Sequence, residues 1–290
     1  MRPPAGSAPT VIFPHLGKTG GATLRRIVPR NFPRSEVLSL RNPSSAPNGF
    51  LSTLPIERFA EMPERERERP RFIMAHMMVG LHEFVPRPST YITLLRHPVS
   101  RVISGYKNAL FSPGHRFHEA VVSEHMDLEG YIRSGLALEM DNSQMRAIVA
   151  DDATPYGACT QEMLERAKRT VDERFSVVGI AERFDETLVM LRHVFGWSKL
   201  HYVVANVSPH RIPRSTVPAA TIGLIEEQNR FDLELYDHAL RKLDRQIEAD
   251  PNFDRDLTRF RRGNARYRPW GELSYSLPAR LRAKLSRATG

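Results

Sequence analysis

From Val11 to Leu24 the chain reads as a short apolar strand, a glycine-rich turn and the start of a helix. Backbone N–H groups at such a helix start point at an anion, and glycines let the chain approach it closely. Gly17, Gly20 and Gly21 serve that approach and Ala22 continues it. Lys18 adds a point charge, and Thr19 and Thr23 offer hydroxyls. The P-loop of nucleotide triphosphatases needs a glycine five positions before Gly17, where this chain has Ile12. A site of that kind also expects a metal-holding Asp at the end of a neighbouring strand. The apolar run Tyr91 to Leu95 ends instead in Arg96. A cation there contacts a second phosphate directly.

Eight residues after Arg96 stands Ser104, on a helix that begins near Pro98. With Val102, Ile103 and Tyr106 turned inward, Ser104 turns back toward Arg96. The pair can pin one phosphate, the guanidinium by a charge-assisted contact and the serine by its hydroxyl. His76 ends the run Phe72 to Ala75 and has an ordinary pKa near 6.5, which suits a general base. His15, beside the loop, is the reserve base.

These residues must be carried by strands that share one edge. Val11 to Phe13, Phe72 to Ala75, Tyr91 to Leu95, Ser176 to Ile180 and Tyr202 to Ala205 are short apolar runs that predict buried strands. Helical stripes lie between and after them: Val99 through Leu110, Phe184 through Phe195 with a stop at Gly196, and Leu233 through Ile247. The alternation predicts an α/β class, a P-loop-like three-layer fold with a mainly parallel central sheet flanked by helices. Ligands of such sheets bind beyond the carboxyl ends of the strands. Those ends deliver His15, Lys18, His76, Arg96, Glu182, Arg183 and Asn206 to one edge. The alternating charges from Glu64 to Arg69 predict a solvated face.

The loop Gly17-Lys18-Thr19-Gly20-Gly21, followed by Leu95-Arg96-His97-Pro98 and Ser104, resembles the sulfotransferases that use 3′-phosphoadenosine-5′-phosphosulfate (PAPS). The resemblance is to the carbohydrate branch, which includes heparan sulfate 2-O-sulfotransferase and bacterial relatives. Further similar blocks are Asp141 to Arg146, Val178 to Asp185 and Asn206 through Tyr236. The resemblance implies that the first loop holds the 5′-phosphosulfate and that Arg96 and Ser104 hold the 3′-phosphate. It also implies that His76 is the catalytic base, that Arg183, Ser208 and Arg211 reach the nucleotide, and that no metal is required. Ala22 departs from relatives that carry Ser or Thr there, which removes one hydroxyl contact. His97 stands where relatives commonly have Asp and is read as structural or as a modifier of Arg96. Glu182 either positions a basic side chain or acts on substrate. Asp141, Asn142, Gln144 and Arg146 are candidate acceptor-binding residues; the other role open to them is capping and support of the sheet edge. The implied acceptor bears a hydroxyl, on a glycan or glycolipid.

The chain of 290 residues with 41% hydrophobic content can bury a large core. Its single cysteine, Cys159, excludes an intrachain disulfide and a cysteine-based zinc site. Neither a leader-like apolar segment nor a membrane-length apolar run occurs, which predicts a cytoplasmic enzyme, bacterial by its resemblance. Of the net charge of +9, residues 251–290 hold +7. The expected organisation is therefore one domain over residues 1–250 and a basic appendage over 251–290. That appendage suits peripheral contact with an anionic surface, and no nucleic-acid partner is expected. The competing functions are an ATP-dependent phosphotransferase and a basic nucleic-acid-binding protein.

Overall fold

The computed structural model describes residues 8–40, 54–204 and 212–276. Ser208 and Arg211 lie outside these residues. Five strands form one sheet, β1 (Thr10–Pro14), β2 (Val37–Ser39), β3 (Phe72–Ala75), β4 (Ser89–Leu95) and β5 (Phe175–Ile180), in the order β2-β3-β1-β4-β5. Every pairing is parallel. β1 is buried throughout, and β3, β4 and β5 nearly so, because helices cover both faces. Continuous apolar runs made these strands legible. β2 is three residues at the sheet edge, half-exposed and too short to carry a periodic signal. Tyr202 to Val204 form no strand, contrary to expectation. Their backbone is instead anchored by Asn264, whose side-chain oxygen accepts from the Tyr202 N–H at 2.6 Å.

The helices are α1 (Gly21–Ile27), α2 (Leu54–Ala60), α3 (Glu64–Arg67), α4 (Pro98–Phe111), α5 (His118–Ser123), α6 (Leu128–Arg133), α7 (Ser143–Val149), α8 (Gln161–Arg174), α9 (Phe184–Phe195), α10 (Ala219–Gln228), α11 (Arg230–Glu248) and α12 (Phe253–Ser276). Pro98 opens α4, where its missing N–H costs nothing, and Val99, Val102, Ile103 and Tyr106 are buried as the stripe requires. α9 stops at Gly196, whose φ of 70° is the left-handed conformation that glycine adopts without strain. Glu64, Arg65 and Glu66 on α3 are solvent-exposed, as their charge pattern predicts. A main core surrounds the sheet, and a second cluster joins α4, α5, α6 and α10.

The boundary at residue 250 does not coincide with a break in packing. Phe253, Leu257 and Phe260 of α12 belong to the main core, at 2%, 8% and 1% exposure. They dock on α9, where Phe253 meets the His193 ring edge-on and Arg192 lies over the Phe260 ring. Sequence reading missed this because three apolar side chains are spread thinly among arginines.

Candidate active site

The order of the strands places β1 between β3 and β4, so two crevices open at its carboxyl end. The β1–α1 loop fills that edge. Lys18 has φ 67° and Gly20 φ 86°, so the chain turns twice through the left-handed region before α1 begins. Among the described residues no acceptor meets the backbone N–H groups of Gly17, Lys18, Thr19 or Gly20. Gly17, Lys18 and Thr19 are buried or half-buried and Gly20 is exposed, and a loop with four unmatched donors is suited to receive an acceptor from elsewhere. The Thr19 hydroxyl is turned inward and donates to the Leu16 carbonyl at 2.9 Å, so its proton braces the loop. Thr23 is buried in α1, and its N–H donates to the Gly20 carbonyl at 3.1 Å. Ala22 is half-buried.

Arg96 closes the loop from the β4 side, donating through its guanidinium to the Lys18 carbonyl at 3.0 Å. Glu182 steers it: one carboxylate oxygen lies 3.9 Å from the Arg96 Nε and accepts from the His97 N–H, while the other accepts from the Tyr236 hydroxyl. Of the two roles left open for Glu182, the structure favours positioning a basic side chain. Ser104 is half-buried on the less covered face of α4, one turn before Lys107. The pKa of Lys18 is lowered, first by burial, then by Lys107 and Arg96, with Glu139 acting the other way. The face of α4 that carries Ser104 and Lys107 is therefore turned toward the loop. Lys18 and Arg96 thus stand at the unmatched N–H groups, and the Lys107 charge acts on Lys18 from α4. Lys107 escaped the sequence reading, although it stands three residues after Ser104.

His76 sits on the β3 side. Its Nδ1 is 3.0 Å from the His15 carbonyl, which can only accept, so Nδ1 carries the proton and Nε2 the lone pair. Arg25, one turn into α1, reaches that Nε2 at 3.3 Å. Burial, then the Arg25 charge, pushes the His76 pKa down to about 4, against a smaller upward pull from the hydrogen bond to His15. His15 packs against the His76 ring with centroids 4.1 Å apart. Its own pKa is pushed down to about 2, mostly by burial, and its Nδ1 has no partner among the described residues. Gly21 makes room for this stack: a Cβ there would stand 2.1 Å from the His15 ring.

Two groups of expected site residues are placed differently. Asp141, Asn142, Gln144 and Arg146 are all buried, at 0 to 3% exposure, and their polar atoms are engaged within the chain. Arg146 donates to Asp141 and to the Thr154 and Pro155 carbonyls, and Asn142 donates its N–H to the Asn229 side-chain oxygen and accepts from the Asp232 N–H. Their burial leaves them no open surface for acceptor contact in this structure, and their hydrogen bonds are those of support for the sheet edge. Gln144 shows what is supported, accepting from the Arg96 N–H at 2.8 Å and donating to the Arg96 carbonyl at 2.9 Å. Asp232 in turn fixes the start of α7 by accepting from the Gln144 and Met145 N–H groups. Arg183, expected at the nucleotide, is tied to Glu186 and Asp244, which neutralise its charge. His97 packs edge-on against Tyr236, 5.5 Å between centroids, in a structural role.

A parallel sheet with an anion-receptive loop at its central strand, a second cation at the strand on one side and a neutral histidine at the strand on the other defines a class of group-transfer fold. The chain belongs to the galactose-3-O-sulfotransferase family, whose description matches residues 2–269. That match runs well into α12. Galactose-3-O-sulfotransferase 3 of Bos taurus is 27% identical over 254 residues, 81% of this chain and 57% of the bovine protein. Galactose-3-O-sulfotransferase 2 of Sus scrofa is 29% identical over 251 residues, 79% of this chain and 59% of its own. Uronyl 2-sulfotransferase of Mus musculus is 24% identical over 266 residues, 80% and 61%. The chain thus spans less than two thirds of the length of each of these relatives. The carbohydrate branch expected from the two loops is the branch these comparisons return.

Proposed function

We propose that this chain is a sulfotransferase that moves a sulfuryl group from PAPS to a hydroxyl of a carbohydrate. The observation that carries the reading is the meeting of Lys18 and Arg96 at a loop whose Gly17 to Gly20 N–H groups have no acceptor among the described residues, since a polyanion supplies the missing acceptors and relieves the repulsion of Lys18 by Arg96 and Lys107. Family membership supplies the chemistry, and the names of the relatives support a ring hydroxyl of a hexose or hexuronate as acceptor.

In this mechanism the loop from Gly17 to Thr23 holds the phosphosulfate, while Arg96 and Ser104 hold the 3′-phosphate. The acceptor hydroxyl takes the place of Arg25 at the Nε2 of His76. The bond from sulfur to the phosphate oxygen breaks as the bond to the acceptor oxygen forms, and the acceptor proton passes to Nε2. Lys18 and the loop N–H groups meet the charge on the departing phosphate; one preorganised donor of this kind contributes about 3 to 4 kcal/mol. Gln144 holds the Arg96 backbone in register throughout.

Thermal unfolding tests the donor site. With the product nucleotide 3′-phosphoadenosine-5′-phosphate at about 100 times its dissociation constant, stability rises by roughly 2.7 kcal/mol, and the melting temperature by several degrees. Arg96→Ala is expected to abolish the shift. A shift with ATP and magnesium but none with the bisphosphate would replace this reading with an ATP-dependent phosphotransferase.

A further inference from the structure

α12 buries one face and, among the described residues, leaves the other uncovered. At about 100° per residue, Arg255, Arg259, Arg262 and Arg266 fall within an arc of roughly 60°, opposite Phe253, Leu257 and Phe260. All four are exposed. Arg255 pairs with Asp256, and Arg261 and Arg268, off the stripe, pair with carboxylates. Arg259, Arg262 and Arg266 have no acidic partner among the described residues. Beyond Pro269, Trp270 and Leu273 continue the helix outward at 45% and 63% exposure.

The direction of this stripe is fixed by its contacts. Asp256 and Phe253 meet His193 near the end of α9, whereas Arg261 reaches Asp185 and Glu186 in the first turn of α9. α9 begins one short turn, Ala181–Arg183, after β5, at the edge of the sheet that carries the loop, Arg96 and His76. The arginines therefore climb about 16 Å of helix toward the candidate active site, and Trp270 stands further along the same course.

We propose that this stripe binds an acidic polysaccharide and feeds it to the site, so that the acceptor is a chain bearing carboxylate or sulfate groups. The proposal deepens the sulfotransferase reading and rests on it. A row of unpaired guanidinium groups one turn apart matches a linear polyanion, for which arginine supplies forked hydrogen bonds to carboxylate and sulfate oxygens. Trp270 offers a flat apolar face at the end of the row, suited to a sugar ring. A lipid surface fits less well. The apolar face of α12 is committed to the core, which leaves, among the described residues of the helix, Trp270 and Leu273 as the large apolar side chains exposed to a bilayer, whereas interfacial helices carry a broad apolar face. RNA shares the charge but has no place in transfer to a carbohydrate.

Binding of chondroitin sulfate is the test, with neutral dextran, single-stranded poly-U RNA and phosphatidylserine vesicles as the other arms. Substitution of Arg259, Arg262 and Arg266 together by Glu is expected to weaken chondroitin sulfate binding about 10-fold or more and to flatten its salt dependence. Trp270→Ala is expected to weaken it by a smaller factor. The same change of charge made at the exposed Arg65, Arg69 and Arg169 leaves binding unchanged, and each variant keeps the thermal shift with the bisphosphate. Equal losses in the two triple variants, unaltered binding in the first, or tighter stripe-dependent binding of RNA or vesicles would overturn the proposal. Loss of the bisphosphate shift in the wild-type chain would instead overturn the sulfotransferase reading.

Discussion

His76 and Lys18 are both displaced downward from their ordinary pKa, and the two shifts limit the reaction from opposite sides. With its pKa near 4, His76 is neutral at every pH above about 5, so its Nε2 is free to take a proton well below the usual histidine range. Lys18 must be charged, and its lowered pKa means that this charge is lost at a lower pH than in an ordinary lysine. The profile of kcat/KM against pH is therefore expected to fall on the acid side only toward pH 4, and on the basic side before pH 10.5. His76→Ala should lower kcat by about 10² to 10⁴ and leave the bisphosphate shift intact. A wild-type acid limb near pH 6.5, unchanged in His76→Ala, would remove His76 from the base role. The same shift bears on stability. The unfolded chain takes up this proton near pH 6.5 and the folded chain only near pH 4, so stability falls as pH drops through that window. The residue types at this site were legible from strand ends alone, because a charged or titratable side chain after an apolar run points to the loop edge. Arg25 was not legible, because nothing in a helix sequence says which turn will lean over a neighbouring strand.

At the scale of elements, the first loop and α1 are coupled to the histidines by a single absent methyl group. Gly21→Ala places a carbon within 2.1 Å of the His15 ring, so the ring must shift from its place against His76. The expected result is a folded protein with kcat reduced at least tenfold, about 1.4 kcal/mol or more in the barrier, and with weaker bisphosphate binding, read by kinetics and thermal shift together. Wild-type kcat in this variant would mean that the stack is incidental. β1, β3, β4, β5, α4 and α9 announce themselves in the sequence because each has a continuous apolar run or a clean stripe. α11 is offset from its apparent stripe. Asp232 belongs to its buried face, while Leu233, Leu240 and Ile247 lie at the margin. A polar residue that holds the start of α7 hides the true face of its own helix.

For the whole molecule, the decisive observation is that α12 completes the core. A chain ending at Asp250 loses Phe253, Leu257 and Phe260, each worth about 1.5 to 3 kcal/mol of burial, out of a total stability of roughly 5 to 15 kcal/mol for an ordinary domain. Circular dichroism and size exclusion are expected to show that it aggregates or melts far below the full chain. A truncated chain with an unchanged melting temperature would make the helix an appendage after all. Charge alone suggested a detachable tail, because counting residues does not reveal which face of a helix they occupy.

The strand order carries a consequence for how this chain reaches its native state. Among the described residues no strand pairs with one it could meet through a short turn: Val37 lies beside Phe72, Val11 beside Phe72, Ile12 beside Tyr91 and Leu94 beside Gly179, about 35 to 85 residues apart in sequence, so the sheet has no local nucleus and its central strand waits for partners made much later. During synthesis β1 leaves the ribosome long before β3 and β4 exist, an apolar strand with both edges open. Its protection in that interval must come from outside the chain or from speed of elongation.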